Sequence, residues 1–242
     1  MTITETILDA ETADGTMAVV RKQPEGGTDR RVMIFMDAPG IRPSLHDFAA
    51  RLANEGYDVA IPDLWHRHGR LIGYEPADIA EDPSRRGHIG EMLATLTDEG
   101  TTMDRDGALA ALGWEAGAVG GIGFCMGARG VHVAMTDHPD RFVAGAMWHP
   151  SFLTDDTEAS PHLTAPDLVG DLHIGIGTAD QVQSIEMHQR YFDAVEGMGN
   201  VTLDIIEGAD HGFTWPISPN HHEEGAARTW AATTALFARR LA

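Results

Sequence analysis

Cysteine is nearly absent from this chain: of 242 residues only Cys125 carries a thiol. No intramolecular disulfide can form, and a reducing, cytoplasmic compartment is expected. Lysine is equally scarce, with Lys22 standing alone among 17 basic residues, and these face 37 acidic ones for a formal net charge of −20. Such a field repels phosphate backbones, so no nucleic-acid partner is expected. It also repels anionic substrates unless a local arginine offsets it. Long apolar runs are missing as well. Nothing approaches the roughly 20 residues needed to span a bilayer, so no membrane partner is expected. The opening stretch MTITETILDAETADG is acidic without an apolar centre and is not expected to be a secretory leader.

What remains suits a globular core, with 43% apolar residues. Short apolar runs alternate with periodic segments. Strands are predicted at 17–20, 31–36, 57–62, 118–124, 141–148, 171–177 and 201–208. The three glycines of AVGGIGF weaken the fourth of these. A helix is predicted over 44–55, with Ser44 and Asp47 at capping-box spacing and Leu45, Phe48 and Leu52 as its apolar stripe. Further helices are predicted near 89–97, 102–113, 126–136, 182–197 and 222–241, and residues 63–88 read as loop. Strands alternating with helices predict an α/β fold, a mostly parallel sheet with helices on both faces, in one domain spanning 1–242.

The stretch GIGFCMGARG carries the chemistry. Gly-x-Cys-x-Gly stands where a strand passes into a helix. A sharp turn there sets the nucleophile at strained backbone angles, and flanking glycines remove the side chains that would clash. The helix N-terminus favours thiolate over thiol. A buried core cysteine packed between glycines is the other reading. Two later stretches bear on the choice. Asp180 follows an apolar strand in GIGTADQV, and His211 follows the last strand in EGADHGF. Asp180 alone would pass for a helix cap, and His211 for one of 13 histidines. Together they follow Cys125 in the order nucleophile, acid, histidine, each at the C-terminal end of a strand, where catalytic groups of parallel sheets collect.

These motifs, with VMIFMDAPGIR and GYDVAIPDLW, resemble the dienelactone hydrolases, the cysteine-nucleophile branch of the α/β-hydrolase fold. The resemblance runs from about Arg31 to the C-terminal helix. It implies Cys125 as nucleophile, Asp180 as triad acid and His211 as triad base. Met126 and Ala38 match the residues whose backbone N–H groups form the oxyanion hole. The family glutamate that contacts the thiol is replaced by Asp37, one methylene shorter. The family arginine that receives a substrate carboxylate, shortly after the histidine, is replaced by Trp215.

The activity so implied is hydrolysis of small-molecule esters or lactones through a thioester, with no cofactor and no metal. A ligand-binding protein on the same scaffold, and a redox-sensing thiol, are the competing readings. Trp65, Trp148, His149 and Trp215 follow predicted strands and are candidates to line the pocket, as is Asp37. Arg85 and Arg86 lie in the long loop where the family carries another substrate arginine. The clusters HRH (66–68) and HHEE (221–224) lack a third ligand at metal-site spacing and read as solvated surface.

Overall fold

The computed structural model describes residues 2–242, so Met1 of the acidic opening stretch lies outside the described residues. The chain falls into two compact units, Met1–Gly117 and Ala118–Ala242.

In the first unit, β1 (Ile3–Thr12) and β2 (Gly15–Pro24) form an antiparallel hairpin. β2 then pairs antiparallel with β4 (Asp58–Pro62), which lies parallel to β3 (Arg31–Phe35). β1 was not expected. It is threonine-rich and largely exposed, so it shows neither an apolar run nor a clean alternation. Helix α1 (Pro43–Asn54) buries Leu45, Phe48 and Leu52, as the stripe predicts. The expected Ser44 cap is not made. Arg42 takes the N-cap position, Pro43 follows it, and the Ser44 N–H and hydroxyl both donate to the Glu75 carboxylate at 2.6 and 3.1 Å.

The region read as loop contains one helix, α2 (Pro76–Glu81), and the helix expected near 89–97 starts earlier, as α3 (Ser84–Leu93). α2 is opened by an acidic residue, Asp78, which accepts the Glu75 N–H at 2.8 Å. The first turn of α3 buries nothing, and only Ile89 and Met92 are buried along it, so its start showed no apolar stripe. Helix α4 (Asp98–Leu112) follows, capped by Thr97.

In the second unit, β5 (Val119–Phe124), β6 (Phe142–Trp148), β7 (Asp171–Gly177) and β8 (Val201–Ile206) run parallel in that order. The helices are α5 (Gly127–Asp137), the single turn α6 (Pro161–Thr164), α7 (Gln189–Val195) and α8 (Glu223–Arg240). Of the glycines that weakened β5 as a strand, Gly120 lies against crowded neighbours while Gly121 does not. A Cβ on Gly120 would sit 2.8 Å from Leu241 and 3.2 Å from Phe237, whereas one on Gly121 would meet Val131 at 3.5 Å. Adjacent strand residues point to opposite faces, so α8 covers one face of β5 and α5 the other. The helix expected over 182–197 is shorter. A 3-10 turn, Ile185–His188, leads into α7, because the segment before it is tied into a turn by Asp180.

Candidate active site

β5 ends at Phe124 and α5 begins at Gly127, so the reversal of direction falls on Cys125 and Met126. Cys125 has φ 52°, a left-handed conformation uncommon for a residue with a side chain. Its N–H donates to the Trp148 carbonyl at 3.2 Å, and its carbonyl accepts from Ala128 at 3.1 Å and Ser151 at 2.9 Å. The turn is tight enough that a Cβ on Gly123 would lie 2.2 Å from the Gly127 oxygen. That contact is why the motif requires glycine there. Met126 occupies the N-cap of α5, where backbone N–H groups lack intrahelical acceptors.

Asp180 and His211 come from the loops after β7 and β8. These loops are laced together: Ala179 N–H donates to the Ala209 carbonyl at 3.0 Å, and the Asp210 carboxylate accepts from Gln181 N–H at 3.0 Å. Asp180 Oδ2 lies 2.8 Å from His211 Nδ1, while Oδ1 accepts from the Val182 and Gln183 amides at 3.0 and 2.8 Å. Asp180 therefore caps no helix, since the next one opens at Ser184, and ties a turn with one oxygen while the other meets the histidine.

The His211 side chain is 13% exposed. Burial is the largest single influence and would lower its pKa, but the negative charge on Cys125 and the contacts with Asp180 and Cys125 together outweigh it. The imidazole is pushed up to about 10. The sulfur is thus close enough to act on the ring electrostatically, although buried Nε2 makes no hydrogen bond of ordinary geometry.

The turn after β6 completes the surroundings. His149 lies with its ring 5.0 Å from that of His211, and its Nε2 is 3.0 Å from Thr214 Oγ1. Ser151, which the sequence did not single out, places Oγ 3.4 Å from Cys125 Sγ. His188, also missed, is fully buried and donates Nε2–H to the Pro150 carbonyl at 3.0 Å. Burial lowers its pKa.

Of the other candidates, Trp148 points into the core, with its indole N–H 3.0 Å from Thr233 Oγ1 on α8. Trp215 is 5% exposed and packs its ring on Phe124 at 4.6 Å. In the first unit, both Asp37 oxygens are held by Arg42, at 2.5 and 2.8 Å. The Trp65 indole donates to the Ala38 carbonyl at 3.1 Å, bracing the loop after β3. Arg85 pairs with Asp78 at 3.3 Å and stacks over Tyr74, and Arg86 is exposed. The HRH cluster is not solvated surface throughout. The His66 side chain is 3% exposed and binds Asp104 at 3.0 Å, because Arg67 and His66 share that buried carboxylate. His222 caps α8 through Gly225 N–H.

A thiol on a nucleophile elbow, followed in the chain by a carboxylate and a histidine joined to each other, defines the class: an α/β-hydrolase. The dienelactone hydrolase family model matches residues 17–241, and the chain belongs to that family, whose members hydrolyse ester or lactone bonds. It is 26% identical over 219 residues to the carboxymethylenebutenolidase of Rhodococcus opacus, covering 89% of this chain and 83% of that one. It is 25% identical over 236 residues to the carboxymethylenebutenolidase of Pseudomonas sp. strain P51, covering 90% and 87%. Among solved structures, one from Klebsiella pneumoniae described as a candidate dienelactone hydrolase superposes with a TM-score of 0.82 at 21% identity, over 99% of this chain and all of that one. A dienelactone hydrolase-like promiscuous phosphotriesterase, P91, from metagenomic libraries gives 0.76 at 21% identity, over 99% of each chain. These two likenesses bear on the fold. Among the described residues no helix is long and apolar enough to cross a membrane.

Proposed function

We propose that residues 1–242 form one cytoplasmic α/β-hydrolase domain that cleaves neutral small-molecule esters or lactones by thiol catalysis, without a cofactor. His211 holds the proton of the Cys125 thiol, and Asp180 fixes the imidazole tautomer and stabilises the imidazolium. The thiolate attacks the carbonyl carbon and an S–C bond forms. The oxyanion is received by the Met126 N–H, to which the family pattern adds that of Ala38. As the intermediate collapses, the C–O bond breaks and the leaving oxygen takes the proton from His211. Water, deprotonated by His211, then attacks the thioester. The C–S bond breaks and the thiolate returns. Thiolates expel alkoxides and enolates more readily than amines, which favours esters and lactones over peptides.

The observation that carries this reading is the 2.8 Å contact of Asp180 Oδ2 with His211 Nδ1, beside a cysteine at φ 52°. The test is Cys125→Ala. Hydrolysis of a simple aryl ester should fall to background with the thermal transition retained, and in the parent activity should fall in step with alkylation of the single thiol. Full activity after complete alkylation would sink the proposal.

A further inference from the structure

The turn that follows β6 is held more firmly than a connection needs. Two of its residues, His149 and Phe152, have φ of 40° and 62°. Non-glycine residues persist in that region only where the surroundings over-determine them, and such sites cluster at active centres. Here the anchors come from separate parts of the second unit. His149 N–H donates to the Gly175 carbonyl on β7 at 2.7 Å. His188 Nε2–H donates to the Pro150 carbonyl at 3.0 Å. Ser151 N–H donates to the Cys125 carbonyl at 2.9 Å. The Phe152 carbonyl accepts from Arg129 at 3.0 Å. What this anchoring delivers is the hydroxyl of Ser151, a residue 1% exposed, at 3.4 Å from the sulfur of Cys125.

We propose that Ser151 is a further catalytic residue, whose hydroxyl donates a hydrogen bond to the Cys125 thiolate and holds it charged and oriented before substrate arrives. This rests on the reading of Cys125 as nucleophile. The chemistry favours a hydroxyl at that place. In a thiolate–imidazolium pair the sulfur carries the charge and can only accept, so Ser151 is the donor. His211 supplies opposite charge, and the Ser151 hydroxyl adds a directional contact at 3.4 Å. When the S–C bond forms, the charge moves to the carbonyl oxygen and the Ser151 contact weakens. When the thioester breaks, the charge returns to sulfur and the contact is remade. No proton leaves Ser151 at either step.

The experiment is the pH dependence of iodoacetamide alkylation of Cys125, which reads the thiolate without turnover. Ser151→Ala should move the inflection upward by roughly one pH unit, about tenfold less thiolate on the acid side, and lower kcat/KM for an aryl ester. Ser151→Thr, which keeps the hydroxyl, should restore both. Ser151→Gly reads the same profile if the alanine variant does not fold. An alkylation profile that superimposes on the parent's in a folded variant lacking the hydroxyl overturns the proposal, whatever happens to hydrolysis. Failure of the nucleophile reading itself shows separately, as hydrolysis that survives Cys125→Ala.

Discussion

Asp180 meets His211 at 2.8 Å through one carboxylate oxygen and ties the turn of Val182 and Gln183 with the other. On the proposed mechanism, the first contact places the Nδ1 proton toward the acid and leaves Nε2 for the sulfur. The second keeps the carboxylate from rotating away. Both depend on acceptor oxygens, and only one tolerates an amide.

Asp180→Asn separates the two roles. An asparagine can keep its oxygen on the backbone amides, but its NH₂ then faces Nδ1 and imposes the wrong tautomer. Activity should fall by roughly 10³–10⁴ in kcat, the size of effect known for a triad acid replaced by its amide. The thermal transition should move little. Steady-state kinetics and a melt on the same preparation check this, and a loss below about tenfold would contradict the tautomer role.

The elevated His211 pKa sets a sign for stability. An unperturbed histidine titrates near 6.5, whereas His211 is held at about 10. A base raised in this way stabilises the fold in full below its unfolded value of about 6.5. That contribution is lost as pH rises through about 10. The Tm advantage of the parent over His211→Gln should therefore be larger near neutrality than above about pH 10. Cys125→Ala removes the largest influence raising the pKa. In that variant the His211 ring proton, followed by NMR, should titrate at lower pH than in the parent.

Gly123 is required by space. A methyl at that position would overlap the Gly127 carbonyl, which lies 2.2 Å from where the Cβ would be. Gly123→Ala should cost more than the roughly 0.5–3 kcal/mol of an ordinary point mutation, read by denaturant unfolding. A variant of parental stability would show that the elbow is looser than described.

Substrate charge should matter as well. Trp215 stands where relatives of the resembled pattern place a carboxylate-binding arginine, and its ring is buried against Phe124. A free carboxylate then lacks a charge-assisted hydrogen bond of about 1.5–3 kcal/mol, or about 10- to 150-fold in affinity. The net charge of −20 acts in the same direction. For a matched pair carrying the same scissile lactone, the methyl ester should show the higher kcat/KM. The gap should narrow with salt and in Trp215→Arg. A preference for the free acid at low and high salt alike would place another cation at the carboxylate.

The strands were legible where they are buried on both faces, as in RVMIF and DLHIGIG, because such strands are continuous apolar runs. β1 was not, since a threonine-rich edge strand exposes most of its length. The Ser44 cap failed because helix α1 draws its acceptor from Glu75, 31 residues away, which no local spacing encodes. Glycines and strand ends frame Cys125, Asp180 and His211 in the sequence, and the structure joins Asp180 to His211. Ser151 carried no such mark. Its one signal was its position three residues past a strand that neighbours the elbow strand, and that neighbour relation is visible only once the register of β5 on β6 is known.

A chain whose sole thiol stands on its elbow is self-counting. On the proposed thiol mechanism, one equivalent of alkylating reagent would report one competent molecule, with no bystander sulfhydryl to subtract. The same solitude has a cost under oxidation. A sulfenic acid on Cys125 has no second cysteine in the chain to condense with, so its return to the thiol depends on a reductant from outside. The working fraction of this protein should then follow the thiol pool around it.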